Sequence, residues 1–111
     1  MNLILLHDRD FIGINQVRLH GRRLEHARKV LKVTPGKAIL VGLLGGRTGS
    51  GTVLAVNDQE LLLEVLLTDE PPAALPVTVI LAVPRPKVFK RVLQGITSMG
   101  VKHVILLNTW R

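Results

Sequence analysis

The 111-residue sequence contains no cysteine and no tyrosine, and only 3% of it is aromatic. Without cysteine there is no disulfide framework and no thiolate metal site. With so few rings, the core must be built from aliphatic side chains, chiefly the Leu and Val that dominate the 47% apolar content. Long apolar runs are missing too, since no stretch approaches the roughly 18–20 residues of a membrane span. The opening run Met1 to Leu6 has no basic segment before it and no small-residue cleavage site, and His7-Asp8-Arg9-Asp10 ends it. It therefore reads as a strand rather than a signal peptide. The expectation is a soluble, cytoplasmic protein with no membrane partner.

Acidic residues are also scarce. Eight Asp and Glu face fifteen Lys and Arg, giving a net charge of +7 and a pI of about 10.9. The distribution is uneven. Residues 1–57 carry nine Lys/Arg and three acids, residues 58–76 five acids and no base, and residues 77–111 six Lys/Arg and no acid. Solvated lysines spread for solubility would alternate with acids, whereas two basic blocks flanking one acidic segment point to a polyanion such as nucleic acid.

Residues 2–6 and 16–19 read as short strands. From Gly21 the apolar period changes: Leu24, Ala27, Val30 and Leu31 form the stripe of an amphipathic helix, with Arg22, His26 and Lys29 on its other side, and Thr34-Pro35-Gly36 ends it. Ala38 to Leu44, Thr52 to Val56 and Glu60 to Leu67 follow as strands. Gly45 to Gly51 is read as a hairpin loop and Asn57-Asp58 as a tight turn. Several short strands around one helix predict a small, curled antiparallel barrel. The prolines at 71, 72 and 76 mark a linker. Beyond it, Val77 to Val83 is a continuous apolar run, as in a strand buried on both faces. Pro86 opens a second helix with Phe89, Val92, Leu93 and Ile96 inward, Gly100 closes it, and Val101 to Leu107 is another strand. This is one βαβ unit, hence parallel pairing. The division is a barrel over 1–70, a linker over 71–76 and the start of an α/β domain over 77–111. One such unit cannot cover its own sheet, so the chain is expected to be a piece of a longer protein; a short protein that completes its sheet by pairing with a second copy is the alternative.

Arg22, Arg23, His26, Arg28, Lys29 and Lys32 form the densest basic cluster, with Glu25 the only acid among them. It is either a solvated face or a phosphate-contacting one, and arginine suits the latter because its guanidinium grips phosphate bidentately. The Gly45–Gly51 segment lacks the Gly-Lys-Ser/Thr ending of a P-loop and leads into a strand rather than a helix, so it does not cradle a nucleotide. Arg85, Lys87, Lys90 and Arg91 stand in the first turns of the second helix, where cations oppose the macrodipole; an anion bound there would relieve this. The four histidines have no partners at metal-ligand spacing, so no metal is expected. No serine has the surroundings of a nucleophile, and any chemistry would lie beyond residue 111.

Two segments carry a resemblance. His26-Ala27-Arg28-Lys29-Val30-Leu31-Lys32, followed by Gly36 and a strand, resembles a segment of the bacterial 16S ribosomal RNA uridine-N3 methyltransferases, as does the helix Val88 to Val101 ending in Met99-Gly100-Val101. Arg111 falls where that family has an arginine. Met99, Asn108-Thr109-Trp110 and Pro84-Arg85-Pro86 depart from its pattern. The resemblance implies an α+β chain: a PUA-like RNA-binding barrel followed by the first βαβ unit of a SPOUT-type knotted domain. It implies a cytoplasmic enzyme that uses S-adenosylmethionine to methylate N3 of a uridine in 16S ribosomal RNA, on the RNA or the small ribosomal subunit, as a homodimer. The cofactor loops would lie past Arg111, leaving these 111 residues inactive alone. The RNA-contact roles carried over are those of Arg22, Arg23, His26, Lys29, Lys32, Arg85 and Arg111. The competing reading is a stand-alone, non-enzymatic RNA-binding or ribosome-associated module.

Overall fold

A computed structural model of the chain describes residues 2–110. They form two compact units, Met1–Pro71 and Pro72–Arg111.

The first unit is a curled five-stranded sheet ordered β1-β3-β4-β5-β2, from β1 (Ile4–Leu6), β2 (Gln16–Leu19), β3 (Ala38–Leu43), β4 (Thr48–Val56) and β5 (Leu61–Asp69). A single 3-10 turn, Asp8–Asp10, follows β1, and α1 (Gly21–Lys29) follows β2. Alternation along β2, β4 and β5 turns one set of side chains inward. Leu6, Val17, Leu19, Val41, Leu61 and Leu63 are fully enclosed, and Leu24 and Ala27 of α1 join them. The core is aliphatic, with Phe11 packed at its margin. Irregularities in the β4–β5 register, between Thr48 and Ser50 and between Val53 and Ala55, bend the sheet into its half-barrel.

The barrel is not wholly antiparallel. β1 runs parallel to β3, with Ile4 opposite Val41, while β2–β5, β3–β4 and β4–β5 are antiparallel. Parallel neighbours need a long crossover, and the 3-10 turn, β2 and α1 supply it. The sheet also stays open, β1 and β2 being its two edges.

Two local expectations need correction. The helix stops at Lys29, short of Val30 and Leu31, and Val30 is exposed. Lys32 takes a positive φ of 48°, which swings the chain so that the Val33 N–H donates to the Ala27 carbonyl and the Val33 side chain enters the core. Burying Val33 thus ends the helix before Pro35 is reached. The second correction concerns Gly45–Gly51: only the first part turns, with Gly45 at φ 73°, and Gly49 and Gly51 lie within β4. A Cβ on Gly49 would stand 1.9 Å from the Leu66 carbonyl oxygen, and one on Gly51 would press on Val41. These glycines permit close approach inside the sheet.

The second unit is a parallel pair, β6 (Thr78–Ala82) and β7 (His103–Leu107), joined through α2 (Pro86–Ser98). Phe89, Val92, Leu93 and Ile96 are the half-buried positions of α2. Gly100 takes φ 91° beyond the helix, and its carbonyl accepts the Leu75 N–H. The β6 strand is not buried on both faces. One helix covers one side of a sheet: Val79, Leu81 and Val104 are half-buried, whereas the directly paired Ile80 and Ile105 are 64% and 48% exposed.

Candidate nucleic-acid interface

A cation is available to an outside anion only where no carboxylate already neutralises it, so the basic cluster is best sorted by partners. Arg23 is neutralised by a carboxylate. Its Nη1 and Nη2 grip Asp10 Oδ2 and Oδ1 at 2.5 and 2.7 Å, and Nη1 also donates to the Leu5 carbonyl at 2.8 Å. Asp10 is 6% exposed and accepts the His7 N–H at 2.7 Å. Burial pushes the Asp10 carboxyl up. The Arg23 and His7 hydrogen bonds and the nearby positive charges outweigh this and hold it below the usual carboxylate range. The same bond raises the Arg23 pKa. Arg23, grouped in the sequence with the RNA-contact residues, is instead a tie between α1, the 3-10 turn and the open edge of β1.

On the far side of α1 the charges are largely cancelled. Lys29 Nζ meets Glu25 Oε1 at 2.5 Å and Arg28 meets Asp58 at 2.6 Å. Both pairs line a groove of about 860 Å³ with His20, Gly21, Arg22 and Gln59. Elsewhere Arg18 pairs with Glu60 at 3.0 Å and Arg47 Nε with Glu70 at 2.6 Å, while Lys37 Nζ donates to the Leu31 carbonyl. The acidic segment 58–70 therefore neutralises much of the first basic block.

What remains without an ionic partner among the described residues includes Arg22, His26 and Lys32. Arg22 and His26 lie one helical turn apart and line a second groove, of about 330 Å³, with Leu3, Ile4, Leu5 and Arg23. Lys32 sits in the turn after α1 and does not line it. Arg85 is the N-cap of α2, in the other unit, and Arg111 lies outside the described residues. The structure thus brings Arg22 and His26 together, and with them two residues that charge and spacing did not single out. Leu3 and Leu5 are 40% and 41% exposed, while Ile4 and Leu6 between and beyond them face the core. An unbroken apolar run hides that alternation, since both faces read alike.

Among the described residues no group of three or more His, Asp or Glu side chains is placed to hold a metal, and no helix is long and apolar enough to cross a membrane.

A curled sheet with one helix packed against its core, followed by a parallel βαβ unit, is a fold shared with solved RNA methyltransferases. No family model matches the chain. A crystal structure of ribosomal RNA small subunit methyltransferase E from Neisseria gonorrhoeae, bound to S-adenosyl methionine, superposes with a TM-score of 0.73 at 17% identity, over 99% of this chain and 47% of that one. A predicted RNA methyltransferase from Thermotoga maritima gives 0.68 at 14% identity, over 98% and 49%. In sequence, the ribosomal RNA small subunit methyltransferase E of Treponema pallidum (strain Nichols) is 25% identical over 111 residues, 98% of this chain and 42% of the relative. The chain is thus similar, in sequence and in fold, to the small-subunit ribosomal RNA methyltransferase family that its two segments resemble. It spans less than half the length of each of these relatives.

Proposed function

We propose that the chain is the RNA-binding part of an S-adenosylmethionine-dependent methyltransferase acting on N3 of a uridine in 16S ribosomal RNA. The observation that carries the reading is the agreement of sequence and fold: both lead over nearly the whole chain to about half of a small-subunit ribosomal RNA methyltransferase. In this reading the first unit holds RNA through Arg22 and His26, supplemented by Lys32, and Arg85 and Arg111 of the second unit are separate RNA contacts. The whole protein works in the cytoplasm as a homodimer on the RNA or the small ribosomal subunit, and the transfer itself needs residues other than these.

The residues of the second unit do not fit the cofactor. S-adenosylmethionine carries a sulfonium and an ammonium against one carboxylate, so its net charge is positive. Residues 77–110 hold five Lys/Arg and no acid to receive it, and β6 and β7 leave one sheet face open. No catalytic step is assigned to this segment.

The test is binding by the 111-residue chain. Fluorescence anisotropy should show association with a 16S ribosomal RNA fragment that weakens roughly tenfold as salt rises from about 50 to about 200 mM, as phosphate contacts require. Calorimetry should show no S-adenosylmethionine uptake. Absence of RNA binding would remove the reading, and tight cofactor binding would overturn the division of labour.

A further inference from the structure

We infer that the groove between β1 and α1 seats one unstacked base of single-stranded RNA, on Leu3 and Leu5, with the adjoining phosphate on Arg22 and His26. The inference rests on the RNA reading above and assigns it a place and a strandedness.

Three features of the groove converge. Its floor is aliphatic and half-open, with Leu5 on the outer face of the edge strand β1 and Leu3 just before it. The Leu3 side chain is held over Gly42, where a Cβ would come within 3.3 Å of it, so the floor is fixed rather than a loose tail. Its rim is cationic, and the charge is uncompensated: the acids near α1 are bound to Arg23, Arg28 and Lys29, leaving Arg22 and the His26 ring to whatever enters.

A protein partner suited to Leu3 and Leu5 alone would gain nothing from a bare guanidinium at the rim. A purely electrostatic phosphate site would have no use for an apolar floor. A splayed nucleotide has both a flat apolar face and an anionic backbone. At about 330 Å³ the groove lies at the small end of the range of roughly 300–1,000 Å³ in which small ligands are held, a space for one base and not for a duplex. RNA-binding proteins commonly seat such bases on aromatic rings or guanidinium planes. With no tyrosine or tryptophan in the first unit and its one phenylalanine, Phe11, packed against the core, leucines and the Arg22 plane stand in their stead.

Anisotropy with the 111-residue chain and a short labelled oligoribonucleotide, single-stranded or duplex, tests this. The unchanged chain should prefer the single strand. Arg22→Ala should weaken binding and lower the salt slope by about one. The double change Leu3→Ser, Leu5→Ser should weaken single-strand binding roughly fivefold without altering the slope, because a base contact releases no counterion. Leu3→Met, Leu5→Met should retain affinity. Photocrosslinking of the unchanged chain to RNA containing 4-thiouridine gives a readout independent of any variant's folding, and adducts should map to residues 2–6 and 22–26. If the chain binds RNA but the serine variant is unaffected and adducts fall elsewhere, the groove assignment is overturned and the RNA reading stands. If the unchanged chain binds no RNA, both fail.

Discussion

Arg23 shows how far a single side chain's role depends on what lies opposite it. In sequence it is one cation among six. In the fold it bridges both oxygens of a buried carboxylate thirteen positions earlier, a pairing that no local pattern announces because the chain must first curl to create it. Truncating one partner of a buried ion pair strands the other, so Arg23→Ala should lower stability by about 3–5 kcal/mol, read as a lower urea midpoint at unchanged m-value. The pH dependence has a definite sign. Since the folded Asp10 pKa lies below the unfolded value of about 3.9, the stabilisation is complete above that value and is lost as pH falls through the folded pKa. Urea midpoints measured below about pH 4 should therefore fall more steeply for the unaltered chain than for Asp10→Asn. Combining Arg23→Ala with other cation removals would confound RNA binding with unfolding, so Arg22 alone is the informative change.

The elements themselves were largely readable. Period-two alternation marks β2, an apolar run between turn residues marks β5, the 3.6-residue stripe marks α2, and the Asn57 side chain caps the turn before β5 by accepting the Gln59 and Glu60 N–H groups. What misled was glycine, because a residue that permits a turn is indistinguishable in sequence from one that permits contact. Gly49, which serves contact, and Gly95, which serves neither contact nor turn, bracket what a glycine can cost or spare. Gly49→Ala would drive a methyl into the Leu66 carbonyl and should destabilise the first unit by about 3 kcal/mol or more. Gly95 lies in α2 with nothing within 4 Å of its would-be Cβ, so Gly95→Ala should stabilise by roughly 0.5–1 kcal/mol. Thermal melts of the two variants would show shifts of opposite sign. The end of α1 was illegible for a different reason: the helical period continues through Val30 and Leu31, and only the core's demand for Val33 halts it.

For the molecule as a whole, net charge pointed toward nucleic acid, but only the three-dimensional pairing of acids with bases indicates which cations are free to meet it. The parallel pairing of β1 with β3 carries a consequence of another kind. Ile4 meets Val41, 37 positions along the chain, so a long segment must be ordered before β1 gains its neighbour, and contacts of such separation form late. β1 is three residues long and has one strand beside it, whereas β4 and β5 are nine residues each with strands on both sides. Its local opening is correspondingly cheap. In deuterium-exchange measurements the amides of residues 4–6 should exchange well ahead of those in the centre of β4 and β5. A ligand that binds only the closed form suppresses opening, so RNA seated on Leu3 and Leu5 should slow exchange at β1 most of all, making this short edge strand the reporter of occupancy.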